Sequence, residues 1–219
     1  MRKYLRFAAY LLAAAWFSSA NAGSYDDFFS AIKQDDAATV SELLQRGFDP
    51  NTPSPDGLSG LYLALREPAP KVAAVLVDWP KTNVEVRTAK DESPLMMAAL
   101  KGQTALAKRL IDRDADVNKP GWAPLHYAAT GGHLEVMELL LEHYAFIDAQ
   151  SPNGTTPLMM AAMYGSTAAV KLLLDAGADT AMKNQLGMTA LDFALKANRP
   201  DAVALIQQAV QRSQPPGKW

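Results

Sequence analysis

The chain has 219 residues, 49% of them hydrophobic and 20% charged, with no cysteine and a formal net charge of −2. That balance suits one globular domain once any targeting segment is removed, and excludes a fibrous or disordered chain. The acidic excess argues against nucleic acid or an anionic membrane surface as a partner.

At the amino end, Arg2, Lys3 and Arg6 precede an apolar stretch from Phe7 to Phe17, followed by Ser18, Ser19 and Ala20-Asn21-Ala22. This is the pattern of a secretory signal peptide over residues 1–22, cleaved after Ala22. The apolar run is shorter than the about 20 residues that a membrane span needs. No cysteine follows it, which excludes a lipoprotein anchor. Residues 1–22 carry three of the 21 basic residues and none of the 23 acidic ones, so cleavage moves the formal charge from −2 to −5. Small exported animal domains lean on disulfides; a cysteine-free exported chain fits a bacterial periplasm, with no membrane contact after cleavage.

The rest of the chain is a phased repeat. SGLYLAL, SPLMMAA, APLHYAA, TPLMMAA and TALDFAL begin at Ser59, Ser93, Ala123, Thr156 and Thr189, a spacing of about 33 residues that means stacked units. Each block is followed by a second apolar run, such as VMELLLE from Val136 or VKLLLD from Val170. Two short helices per period are predicted. After most second runs comes a polar turn, as in RGFDPN from Arg46, DADVN from Asp114 and AGADTA from Ala176.

In chain order, six units are predicted: about 24–56, 57–90, 91–120, 121–153, 154–186 and 187–212. The first has charged residues where an entry motif would stand, as a capping unit requires, and contributes Phe28 to the core. The second carries Glu67-Pro68-Ala69-Pro70, a stiffer link between its helices. The third and fourth are joined by a shortened loop: Asn118-Lys119-Pro120-Gly121 lacks three residues present in Asp148 to Gly154. The last carries Asn198-Arg199-Pro200 and a Gln-rich final helix, a solvated end cap. Residues 213–219 are expected to be a disordered tail.

The unit resembles an ankyrin repeat, whose pattern runs G-x-T-P-L-H-x-A-A-x-x-G-H, then a Leu-rich helix, then G-A-D-V-N. The fullest match is GWAPLHYAATGGH, Gly121 to His133. The resemblance implies an all-α ankyrin-repeat solenoid of helix-turn-helix units with short hairpin loops. The residues give independent reasons for it. Ser93-Pro94 and Thr156-Pro157 suit a capped helix start; Ala98-Ala99, Ala128-Ala129 and Ala161-Ala162 let helices approach closely; Leu61, Leu95, Leu125, Leu158 and Leu191 recur in phase as an apolar spine that no unit could bury alone.

Catalytic patterns are missing: there is no G-x-S-x-G elbow, phosphate loop, dinucleotide fingerprint or cysteine nucleophile, and no cofactor is expected. His126 and His133 stand at the repeat's own histidine positions, where an imidazole satisfies loop backbone groups. Asp112, Asp114, Asp116 and Asn118 alternate like a calcium loop, but Val117 replaces the loop glycine and Ala123 the bidentate glutamate. Met96-Met97 and Met159-Met160 could hold Cu(I) in an exported protein, yet they fall in phase with the apolar spine and read as core. A metal-binding or enzymatic role is the alternative of another class.

Function is therefore expected on the surface. Ankyrin-like proteins use hairpin tips and the exposed face of the first helix as a concave binding surface, and the motif places Arg66, Glu67, Lys90, Glu92, Leu100, Lys101, Trp122, Thr130, Thr155, Met163, Tyr164, Met188 and Lys196 there. Large apolar groups at several of these positions are interface anchors. The shortened loop before Trp122 leaves a gap in the row of fingers that could receive part of a partner. The expected partner is another protein, periplasmic or imported, bound by a chain that is monomeric when free. The expected role is scaffold or protector of a periplasmic enzyme, with an inhibitor or immunity protein blocking a toxin or enzyme as the alternative.

Overall fold

Short side-chain caps start the helices. Ser59, Ser93, Thr156 and Thr189 each stand in extended backbone directly before a helix, and their hydroxyls accept the main-chain N–H of Tyr62, Met96, Met159 and Asp192. Each cap satisfies one of the donors that a helix start leaves open. Pro94, Pro124 and Pro157 take the first helical position, where an N–H is not needed.

The computed structural model describes residues 23–213 and contains, among them, twelve helices and a single isolated bridge between Pro53 and Ser59. The fold is the expected all-α helical repeat solenoid. The signal peptide expected over residues 1–22 lies outside the described residues, as does the expected tail beyond Ser213, which itself ends the last helix. No helix among the described residues is long and apolar enough to cross a membrane. The chain divides into two compact units, Met1–Asn83 and Val84–Trp219.

In the first unit, α1 (23–33) and α2 (Ala37–Gln45) are followed by α3 (Gly60–Arg66) and α4 (Pro70–Asp78). Phe28 is fully buried, with the Phe48 ring 4.6 Å away centre to centre. It lies so close to α3 that a Cβ on Gly60 would stand 2.6 Å from Phe28 Cε1, so α3 begins with the residue that has none. Asp35 accepts the Val72 N–H at 2.9 Å, tying the α1–α2 turn to α4. The proline-flanked link turns at Ala69, whose N–H donates to the Glu67 carbonyl at 2.8 Å, before Pro70 opens α4.

The second unit repeats one pair four times: α5 (Pro94–Leu100) with α6 (Thr104–Ile111), α7 (Pro124–Gly131) with α8 (Leu134–Glu142), α9 (Pro157–Met163) with α10 (Thr167–Asp175), and α11 (Ala190–Lys196) with α12 (Pro200–Ser213). The inner helices α5, α7, α9 and α11 pack side by side in that order, and the outer ones do the same. Leu95, Leu125 and Leu158 are fully buried along the inner row, as are the three alanine pairs; Leu191, at the end, is half-buried. Small residues let the helices approach to backbone contact: a Cβ on Gly165 would stand 2.3 Å from the Ala129 carbonyl oxygen.

Side chains from one repeat also finish the turns of its neighbour. His133 Nε2 donates to the Leu100 carbonyl at 2.9 Å, and Arg199 Nη1 donates to the Gly165 carbonyl. Arginine thus does in the last repeat what histidine does in the fourth. The turns after the outer helices are laddered similarly: Glu85 accepts the Asp116 N–H at 2.8 Å, Asn118 accepts the Phe146 N–H at 2.8 Å, and Asp148 accepts the Asp179 N–H at 3.0 Å. Burial raises the Glu85 and Asp148 carboxyls above the ordinary range, with those N–H donors opposing it.

Candidate functional site

The site begins with one helix start that differs from its neighbours. In α5 and α9 a methionine three residues after the cap turns its sulfur back to the cap N–H, Met96 to Ser93 and Met159 to Thr156, both at 3.4 Å. In α11 the Asp192 carboxylate accepts the Thr189 N–H at 2.7 Å. Helix α7 starts at Ala123, which has no hydroxyl, and His126 supplies the polar contact. Its Nδ1 accepts the Ala123 N–H at 3.1 Å, which assigns the proton to Nε2, and Nε2 donates to the Thr155 carbonyl at 2.9 Å. Burial holds the imidazole below its ordinary pKa, so it is neutral at pH 7 with one donor and one acceptor, both used.

Trp122 stands just before this start. Its ring lies 5.2 Å from that of His126 at 74° and 6.5 Å from that of Tyr127 at 76°, both edge-to-face. Together with Leu100 at the end of α5, Thr130 on α7 and Met160 on α9, these residues line a depression of about 280 Å³ with nearly apolar walls. The Tyr127 hydroxyl reaches Glu92; burial first, and then the Glu92 carboxylate beside it, push its pKa up to about 12. It is therefore a fixed donor, and it pins Glu92 beside the depression. The shortened finger is held too: Lys119 pairs with Asp91, whose carboxyl that contact keeps below the ordinary range. Gly121 in the same finger adopts φ +83°.

The structure brings Leu100 and Trp122 together in this depression. Lys101 caps α5 and is exposed, Met163 ends α9 half-buried, Tyr164 follows it 58% exposed, and Met188 is half-buried before Thr189; all four stand outside the depression's walls. Arg66 belongs to the first unit, exposed at the end of α3, with Nε 3.1 Å from its neighbour Glu67. Thr155 requires correction. Expected on the exposed face, it is only 3% exposed. Its N–H donates to the Ser151 hydroxyl and its carbonyl accepts the Ser151 N–H, both at 3.0 Å, so the finger closes on itself and buries the residue.

Three lining residues were not among the expected binding positions: His126, Tyr127 and Met160. Their signal is periodic. The residue after the histidine position is large and apolar in every repeat of the second unit, Met97, Tyr127, Met160 and Phe193, and on a helix it falls on the same face as a residue three or four away. Among the lining hydroxyls, Thr130 donates to the His126 carbonyl at 2.7 Å and Tyr127 reaches Glu92, and no cluster of three or more potential metal ligands occurs among the described residues. What it offers is an apolar recess with a rim of hydrogen-bonding groups.

The family model "Ankyrin repeats (3 copies)" matches residues 28–119, 74–151 and 146–212. The mouse ankyrin repeat and SAM domain-containing protein 6 is 41% identical over 128 residues, covering 56% of this chain and 14% of that protein. The neurogenic locus notch homolog protein 1 of Xenopus tropicalis is 30% identical over 176 residues, 72% of this chain and 7% of that protein; its human counterpart is 29% identical over 175 residues. The chain thus spans a small part of these relatives' length. Ankyrin repeats generally mediate protein–protein interaction rather than catalysis, and with matches across residues 28–212 this chain belongs to the ankyrin-repeat family.

Proposed function

We propose that the chain is exported to a bacterial periplasm, where it binds another protein through the inner-helix face of its second unit and acts as scaffold or protector of a periplasmic enzyme. The export part rests on Arg2, Lys3 and Arg6, the apolar run to Phe17 and Ala20-Asn21-Ala22, and on the missing cysteines.

The observation that carries the binding part is the apolar depression around Trp122. At about 280 Å³ it is smaller than the roughly 300–1,000 Å³ of small-molecule sites. It suits one large apolar side chain projecting from a partner. Aromatic groups in such recesses dominate interface energies, and Tyr164 adds an exposed aromatic ring beyond the end of α9.

Affinity capture from periplasmic extract, with the chain from Gly23 onward as bait and the Trp122→Ala, Tyr164→Ala double variant as control, tests this reading. An enzyme retained by the first, lost by the second and still active when bound supports a scaffold. An enzyme silenced on binding replaces the scaffold with an inhibitor. Equal capture by both baits removes the proposed face.

A further inference from the structure

Where the repeats of the second unit leave their outer helices, the chain passes through a left-handed residue. The third repeat uses Asp114 at φ +62° and the fifth Gly177 at φ +93°; the fourth uses Tyr144 at φ +63°. A left-handed conformation favours glycine and short polar residues, and an aromatic side chain is an unusual occupant. Two residues on, the neighbours carry Asp116 and Asp179, whereas the fourth repeat carries Phe146. Neither aromatic side chain is used by the core: Tyr144 is 85% exposed and Phe146 67%. Single exposed apolar residues are ordinary; two within three residues, one on strained backbone, are not explained by packing.

The turns on either side are fixed against this one. Asn118 donates to the Tyr144 carbonyl at 2.7 Å and accepts the Phe146 N–H, and Asp148 accepts the Asp179 N–H. The aromatic pair therefore sits in a row of turns whose exposed side chains include Asp114, Asp116, Glu142 and Asp179. The cations of the same edge are engaged: Arg87 with Glu85 and Asp116, Lys108 with Asp112, Lys171 with Asp175, and Arg109 and Arg113 also have partners.

We propose that this edge is a second docking surface, separate from the inner-helix face, for a basic segment of another protein whose Arg or Lys side chains lie on the Tyr144 and Phe146 rings and pair with the flanking carboxylates. Cations over aromatic faces are attracted by the ring electrons, and the surrounding acids add long-range attraction. A second copy of the chain is disfavoured, because two such edges would face carboxylate with carboxylate.

The experiment is fluorescence anisotropy of the full chain with a labelled short Arg–Ser repeat peptide, with the Glu–Ser peptide as control. The variant is Tyr144→Gly with Phe146→Ser, which keeps every carboxylate and places glycine at the left-handed position, so its thermal midpoint is retained or raised. Phe146→Ser alone is the second variant. The expected results are binding of the Arg–Ser peptide only, weakened about tenfold or more by the double variant and also weakened by Glu142→Gln with Asp114→Asn. Unchanged binding by the double variant, equal binding of the Glu–Ser peptide, or sedimentation showing self-association that the double variant abolishes would overturn the proposal.

Discussion

His126 on α7 holds the carbonyl of Thr155, in the next repeat, through Nε2 at 2.9 Å while its Nδ1 closes its own helix start. One buried imidazole thus joins two repeats directly beneath the apolar depression. Replacing it by Ala leaves the buried Ala123 N–H without a partner and the Thr155 carbonyl with the Ser151 N–H alone, and is expected to cost about 1–3 kcal/mol, the penalty of one unsatisfied buried group. Urea unfolding of His126→Ala checks this.

The same residue sets a pH dependence. Burial lowers its folded-state pKa, so the unfolded chain takes up the proton first as pH falls. The associated stability is complete above the unfolded value of about 6.5 and is lost as pH drops from there through the folded value. His126→Met, which copies Met96 and Met159, is expected to fold and to flatten the denaturation midpoint as pH falls below about 6.5. A parallel decline in the variant would assign the effect to other groups.

Two glycines separate crowding from backbone strain. Gly165→Ala places a methyl 2.3 Å from the Ala129 carbonyl oxygen and 2.9 Å from the Ala161 Cα, backbone that cannot yield without opening the α7–α9 contact; a loss of about 3 kcal/mol is expected. Gly177→Ala meets nothing within 4 Å but keeps φ +93°, and should cost about 1 kcal/mol. Thermal unfolding of both variants should preserve that order.

The helix caps predict smaller, additive effects. Ser93→Ala and Thr156→Ala each remove a hydroxyl that accepts an N–H at the start of an inner helix, for about 1 kcal/mol apiece. The caps lie in repeats separated by α7, so the double variant should lose close to the sum.

Much of this fold is legible in the chain because its signals are local. Ser or Thr before Pro, the alanine pairs and the phased leucines each act within a few residues, and the structure places them as helix starts, close contacts and spine. What was less legible depends on neighbouring repeats. Thr155 looks like a finger-tip residue, and only the return of the finger through the Ser151 hydroxyl buries it. Arg199 reads as a departure from the repeat's histidine, yet its longer side chain reaches the Gly165 carbonyl across the repeat boundary. Met160 reads as core and Tyr127 as one more letter of its repeat block, and the depression they line exists only once α5, α7 and α9 stand side by side.

The inner-helix face around Trp122 is the proposed binding site for a protein partner. Its most direct test is the affinity of the captured partner for Trp122→Ala, by calorimetry, beside a circular dichroism melt of the same variant. A native-like melt and a loss of about 2 kcal/mol or more, roughly 30-fold in affinity, are expected. An unchanged affinity in a folded variant would contradict it.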